Sequence, residues 1–159
     1  MNTFNIHLTG VGGQGIGLLS EVLLRAADHA GLPARGVDTH GLAQRGGMVV
    51  SHLRLGAGAH SPLVKRGDAD LVVALERHEA LRGATQFLKQ GGTLAFYDAC
   101  WQPLEVRLGK APEVTAEQIA AEVTRRAGRN LRVEVADLVD VRMQNVALLG
   151  VLAKEQVLP

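Results

Sequence analysis

A chain of 159 residues, 47% hydrophobic and 21% charged, is long enough for one domain with a real core and gives no sign of a second. Seventeen basic against 16 acidic residues leave a net charge of +1 and aromatics reach only 3%, which excludes the basic footprint and the stacking platforms of a nucleic-acid binder. The single cysteine, Cys100, excludes an internal disulfide or a cysteine-ligated iron–sulfur cluster built by this chain alone.

Phe4 to Thr9 alternates and runs into glycine, predicting a buried first strand. The N-terminus Met1-Asn2-Thr3-Phe4 lacks the basic and apolar regions of a secretory signal, and no run approaches membrane-spanning length, so a cytoplasmic protein is expected. From Gly13 or Gln14 to about Ala30, Ile16, Leu19, Val22, Leu23 and Ala26-Ala27 recur at helical spacing until Gly31 and Pro33 stop the helix. Ala34 to Thr39 reads as a second strand and Met48 to Leu55 as a third. Too few residues separate them for a helical crossover, so this pair is expected to be antiparallel.

After a Gly-rich connector, Gly56 to Pro62, a brief edge strand is expected at Leu63 to Arg66. Ala69 to Leu75 is a continuous apolar run, typical of a strand covered on both faces. Glu76 to Lys89 reads as a helix ended by Gly91-Gly92, Thr93 to Tyr97 as a buried strand, and Glu105 to Leu108 as a further edge strand. Thr115, with Glu117 and Gln118 behind it, caps a helix to Ala127. Leu131 to Val135 alternates as a partly exposed strand, and Val141 to Lys154 is a terminal helix carrying Val146, Leu149 and Leu152. The alternation predicts a single α/β domain over residues 1–159, a three-layer Rossmann-like sandwich with a mixed, mostly parallel sheet.

Two glycine loops carry the functional signal. Gly10-Val11-Gly12-Gly13-Gln14-Gly15 satisfies G-x-G-x-x-G between strand and helix, where bare backbone and a helix N-terminus suit an anion. Asp38, at the end of the second strand, stands where a dinucleotide fold places its ribose-binding acid, so an NAD(P)-dependent oxidoreductase using Gly10, Gly12, Gly15 and Asp38 is one reading. Against it, Gln14 puts a polar amide into the loop, and Asp38 leads into His40-Gly41-Leu42-Ala43-Gln44-Arg45-Gly46-Gly47 and a hairpin rather than a second crossover helix. Arg45 there can fork onto a phosphate or a partner carboxylate.

Other constellations are weaker. His40, His52 and Asp38 suggest a metal site or acid–base pair around the second loop, but no HxxxH or HExxH spacing supports metal, and none is expected. Cys100 reads as a small buried hydrophobe, Ser20 as a small residue that lets a helix approach the sheet, and Glu76 and Glu79 as capping acids with Arg77 and Arg82 nearby. Asn145 is placed to hydrogen-bond across to a loop. No catalytic residue is identified.

The segments GVGGQGI (Gly10 to Ile16), Ser20, Ala26-Ala27, HGLAQRGG (His40 to Gly47), VVSHLRLG (Val49 to Gly56), ADLVVALE (Ala69 to Glu76), Glu79-Ala80-Leu81-Arg82 and QNVALLG (Gln144 to Gly150) together resemble a known family. It is the gamma-type subunit or domain of the 2-oxoacid:ferredoxin oxidoreductases, above all the small beta subunit of the indolepyruvate enzymes. The resemblance spans nearly the whole chain, in order. It implies oxidative decarboxylation of a 2-oxoacid, here an aryl pyruvate such as indolepyruvate, to an acyl-CoA, with electrons passed to ferredoxin.

Thiamine diphosphate, Mg²⁺ and the iron–sulfur clusters are then expected in a large partner subunit, with CoA as co-substrate and no cofactor held by this chain. The loops Gly10, Gly12, Gly13, Gln14, Gly15 and His40, Gln44, Arg45, Gly46, Gly47 would meet that partner, a phosphate-bearing group such as that of CoA, or both. Self-association is open when the partner is absent. Small subunits of the type continue some tens of residues beyond the QNVALLG helix, whereas this chain stops at Val157-Leu158-Pro159, so a non-enzymatic interaction module is a second alternative.

Overall fold

The computed structural model describes residues 3–40, 47–101 and 104–159. Six strands, β1 (Phe4–Val11), β2 (Ala34–His40), β3 (Met48–Leu55), β4 (Ala69–Ala74), β5 (Leu88–Tyr97) and β6 (Arg129–Val133), make one sheet in the order β2-β3-β1-β4-β5-β6. β1, β4, β5 and β6 run parallel, whereas β3 lies antiparallel to both its neighbours, β1 and β2. Helices α1 (Ile16–His29), α2 (Arg77–Gln86), α3 (Leu104–Arg107), α4 (Ala116–Arg125) and α5 (Gln144–Lys154) complete a three-layer sandwich, the class expected from the sequence. Among the described residues no helix is long and apolar enough to cross a membrane.

Strand alternation divides the core in two. On one face Ile6, Leu8, Leu53 and Val73 pack with Leu19 and Leu23 of α1 and with Leu148 and Leu152 of α5. On the other Val72, Ala74, Leu94 and Phe96 pack with Ala80 and Ala84 of α2 and Ile119 and Val123 of α4. Two glycines set how closely the helices approach. A Cβ at Gly36 would lie 2.8 Å from Leu24 of α1, and one at Gly83 would lie 2.7 Å from Val72.

The β2–β3 hairpin forms as its short connection requires. Elsewhere the ladder overrules local pattern. The expected edge strand at Leu63 to Arg66 is irregular chain: Val64 buries its side chain in the α2-side core and donates its N–H to His52 Nδ1 at 3.1 Å instead of to a strand. The expected edge strand at Glu105 to Leu108 is the short helix α3, since β6 occupies the free side of β5. The helix expected to reach Lys89 stops at Gln86: Leu88 is fully buried and pairs with Ala69, and Gly91-Gly92 fall where the β4–β5 register shifts. β6 ends at Val133, two residues early, because the Val135 backbone bonds to the Tyr97 hydroxyl instead. In α5, Val146 faces solvent while Asn145, Leu148 and Leu152 face inward.

The α2-side face of β1 is polar although it is buried: Asn5, His7 and Thr9 all lie beneath α2 or its flank. The His7 ring stacks on Phe87 at 3.8 Å, with the His52 ring 5.0 Å away, and its Nδ1 has no hydrogen-bond partner among the described residues. Burial, and secondarily the charge on His52, push His7 down to about 3. The folded protein therefore binds this proton far later than the unfolded chain, so the contribution is complete above pH 6.5 and is lost as pH falls towards 3. Urea unfolding should show stability dropping by about 2 kcal/mol between pH 7.5 and pH 5. His7→Leu should remove most of that slope, leaving the smaller part due to His52, which burial also lowers; an unchanged slope would assign it elsewhere.

Candidate functional site

Because β3 runs opposite to the rest, its first residues stand at the same edge as the last residues of the other strands. Here gather the turn after β1, the end of β2, Gly47, the β4–α2 junction, the Asp98–Trp101 segment and the first turns of α1 and α5. The Gly12 N–H donates to the Gly47 carbonyl at 2.8 Å, so the two glycine motifs touch. Gln44, Arg45 and Gly46 lie outside the described residues, and His40 is placed only as the last residue of β2.

The first loop differs from the dinucleotide pattern. β1 extends through Gly10 and Val11, which pair with Val49 and Met48, leaving only Gly12 to Gly15 as the turn. A Cβ at Gly10 would lie 3.0 Å from Ile16 and 3.1 Å from Gln14 Oε1, so this glycine serves packing. Gln14 is buried and bridges two elements. Its Oε1 accepts the Val11 N–H at 2.8 Å and its Nε2 donates to the Leu75 carbonyl at 2.7 Å, stapling the turn to the end of β4.

Gly15 adopts φ +85, and its α carbon faces Asn145 of α5, whose Nδ2 donates to the Gly15 carbonyl at 3.5 Å. The cross-helix bond expected of Asn145 is thus present. Gly13, at φ +102, opens to solvent. With the N–H groups of Gly12 and Gln14 bonded inside the protein, the outward donors of this motif are those of Gly13 and of the first turn of α1, which has no side-chain cap.

Beside the loop, Glu76 is fully buried and caps α2. Its Oε1 accepts the Glu79 N–H, and its Oε2 lies 3.0 Å from His78 Nδ1. The Val114 N–H points at His78 Nε2 at 3.3 Å, which assigns the proton to Nδ1 and makes His78 the donor to Glu76. Thr9 Oγ1 donates to Glu79 Oε2 at 3.0 Å; burial raises the Glu79 carboxyl, against the pull of Arg82 and of Thr9. Asp98, at the end of β5, accepts from Arg77 and Arg132, which together hold it below its ordinary value despite burial. Burial and Glu113 push the Cys100 thiol up to about 12, so it is no thiolate at neutral pH.

The suggested grouping of His52 with Asp38 does not form. Asp38 pairs with Ser51, whose hydroxyl donates to its Oδ1 at 2.6 Å, while the next residue, His52, turns to the opposite face. Among the described residues no group of three or more His, Cys, Asp or Glu is placed to hold a metal. What sequence reasoning missed is the internal work of Gln14, signalled only by a polar residue in a loop that otherwise favours small ones. It also missed an apolar fringe: Leu18, Met48, Trp101, Val141, Met143 and Val146 are exposed around this rim.

Residues 5–159 match the family model for pyruvate ferredoxin/flavodoxin oxidoreductase. The indolepyruvate oxidoreductase subunit IorB of Archaeoglobus fulgidus is 36% identical over 152 residues, covering 93% of this chain and 75% of the relative. The subunit of the same name from Thermococcus kodakarensis is 33% identical over 162 residues, covering 97% and 78%. The crystal structure of the keto/oxoacid ferredoxin oxidoreductase gamma subunit from Geobacter sulfurreducens has the same fold, with a TM-score of 0.62 at 21% identity over 98% of this chain and 79% of that one.

The staple can be tested directly. Gln14→Ala leaves the buried Val11 N–H and Leu75 carbonyl without partners and should cost about 2–4 kcal/mol in urea unfolding. Gln14→Glu keeps the acceptor but faces the Leu75 carbonyl with a carboxylate, and should be no better. A loss under 0.5 kcal/mol for both would show that the turn holds itself.

Proposed function

Because the chain belongs to the pyruvate ferredoxin/flavodoxin oxidoreductase family, we propose that it is the small subunit of a 2-oxoacid:ferredoxin oxidoreductase acting on an aryl pyruvate such as indolepyruvate. What supports the substrate is the run of identity, over more than nine-tenths of the chain, to subunits named for the indolepyruvate enzyme. Thiamine diphosphate with Mg²⁺, held with the iron–sulfur clusters by a large subunit, supplies the chemistry by which the 2-oxoacid and CoA become acyl-CoA and CO₂ while two electrons pass to ferredoxin. The residues of this chain suit that division. One cysteine cannot ligate a cluster, and burial with Glu113 keeps Cys100 protonated. Such a complex works in the cytoplasm.

In this reading the rim is the face turned to the large subunit. Gly10, Gly12, Gly13, Gln14 and Gly15 form its floor, with Gly47 against Gly12. His40, Gln44, Arg45 and Gly46 belong to the adjoining motif, where the Arg45 guanidinium meets an anionic group of the partner or a CoA phosphate. The apolar fringe, with Met143 and Val146 at the start of α5, gives the docking its hydrophobic part.

Co-expression with the large subunit should yield a stable complex that reduces viologen with indolepyruvate and CoA, at a higher kcat/KM than with pyruvate or 2-oxoglutarate. A preference for either of the latter would overturn the substrate. Val146→Asp, at a half-exposed position, should leave the melting temperature of the isolated chain unchanged while weakening assembly at least tenfold, about 1.4 kcal/mol. Arg45→Ala should lower assembly or CoA-dependent turnover; full activity of both variants would remove the rim from the interface.

A further inference from the structure

One edge of the sheet is guarded and the other is bare. β6 is five residues long and carries Arg129 and Arg132, the short, charged form in which edge strands resist pairing. β2, at the opposite edge, is seven residues long, contains no proline, and pairs with β3 from Ala34 to His40 without a bulge. Its two formal charges, on Arg35 and Asp38, are of opposite sign.

The ladder fixes which backbone groups face outward. The Gly12 N–H bonds to the Gly47 carbonyl and the Gly56 N–H to the Pro33 carbonyl. In these registers β3 bonds to β1 through its odd-numbered residues and to β2 through its even-numbered ones. Arg35, Val37 and Thr39 are therefore spent on β3, and the alternate residues turn their N–H and C=O groups to the free edge. Among the described residues, these outward groups of Ala34, Gly36 and Asp38 have no hydrogen-bond partner.

Above this edge lies α1, which packs over β3 and β2 with Leu24 on Gly36. Between helix and strand an open groove of about 420 Å³ runs along the edge, walled on the helix side by Gly17, Ser20, Glu21 and Leu24. An added peptide strand would satisfy the backbone of β2 but leave that groove open. A second copy of β2, brought in antiparallel about a two-fold axis, carries a second α1 onto the same face. With strands about 4.8 Å apart the two helices stand on the order of 10 Å from each other, an ordinary packing distance. The groove is then closed from both sides.

The sequence of β2 suits a two-fold axis centred on Val37. That register uses the whole strand and lays the half-buried Val37 on its own copy. Gly36 then stands opposite the partner's Asp38, and Arg35 opposite the partner's Thr39, so no like charges face each other. Centring on Arg35 or Asp38 instead would oppose two guanidinium groups or two carboxylates. We propose that this chain forms a two-fold dimer through β2, joining two six-stranded sheets into one. The edge lies on the side of the sheet, beside the rim assigned above to the large subunit, and pairing there does not depend on that assignment.

Sedimentation equilibrium on the full chain should show a monomer–dimer equilibrium in the micromolar range. Val37→Arg sets like charges face to face at the axis and should weaken the dimer about tenfold or more, with the circular dichroism spectrum unchanged. Val37→Cys should give a disulfide-linked dimer under mild oxidation, because opposed residues of a non-hydrogen-bonded pair stand about 4.5 Å apart at Cα. Thr39→Cys, on the same face but off the axis, should not, and neither should the unaltered chain, whose only thiol is Cys100. A chain that stays monomeric at sub-millimolar concentration, a dimer that Val37→Arg leaves intact, or cross-linking by Thr39→Cys as readily as by Val37→Cys would each overturn the proposal. None of these results bears on assembly with the large subunit.

Discussion

The antiparallel strand β3, wedged between β1 and β2, governs most of what is distinctive here. In an all-parallel arrangement β1 would pair with β2, and the glycine turn would begin where the ladder ends. With β3 in place the β1 ladder continues to Val11, and Gly10 becomes a strand residue whose missing side chain makes room for Ile16 and Gln14. The wedge also pushes β2 to the edge of the sheet, and α1 follows it by lying across β3 and β2, with Leu24 on Gly36. The start of β3 delivers Gly47 to Gly12, joining motifs that lie 35 positions apart in the chain.

The rim so assembled is held by directional bonds more than by apolar packing. The Gln14 side chain closes the turn onto Val11 and ties it to Leu75; Gly12 ties it to β3, and Asn145 ties it to α5. Each bond contributes only about 1 kcal/mol net, but every one satisfies a group that burial would otherwise leave bare. The glycines divide the labour. Gly10 gives way to side chains of its own turn, Gly15 to Asn145 of another helix, and Gly13 alone remains open to solvent. A surface fixed in this way loses little freedom when a partner settles on it, which favours tight assembly without large apolar area.

Much of this was legible in the sequence, for identifiable reasons. The three- and four-residue spacing of Ile16, Leu19 and Leu23 reports a helix with one buried face, and those residues are buried. The short connection between β2 and β3 permits only a hairpin. Failures cluster where a distant partner decides. Leu88 looks helical locally but finds Ala69; residues 105–108 look extended but find the side of β5 taken by β6. Val146 fits the apolar stripe of α5, yet the inward positions go to Asn145 and Leu148, because Asn145 has Gly15 to reach. The partner of Gln14 lies 61 residues away, and no local pattern encodes such a bond.

The polar face of β1 follows the same logic at a higher cost. A central strand ordinarily buries apolar residues on both sides, and β4 next to it does. Asn5 instead donates to the Asp68 carbonyl and accepts from Arg54, and Thr9 donates to Glu79. Through Glu79 and Glu76 that network continues to His78 and so to the Val114 N–H, linking the centre of the sheet to the segment that leads into α4. Among the described residues, His7 Nδ1 stands outside it. Replacing these groups with aliphatic residues would spare the chain an acid-sensitive, incompletely bonded core. It would also disconnect β1, which carries the glycine turn, from the β4–α2 junction beside it. The polar face therefore holds the two halves of the rim in fixed register, and His7 Nδ1 is the one atom of that face left without a partner among the described residues.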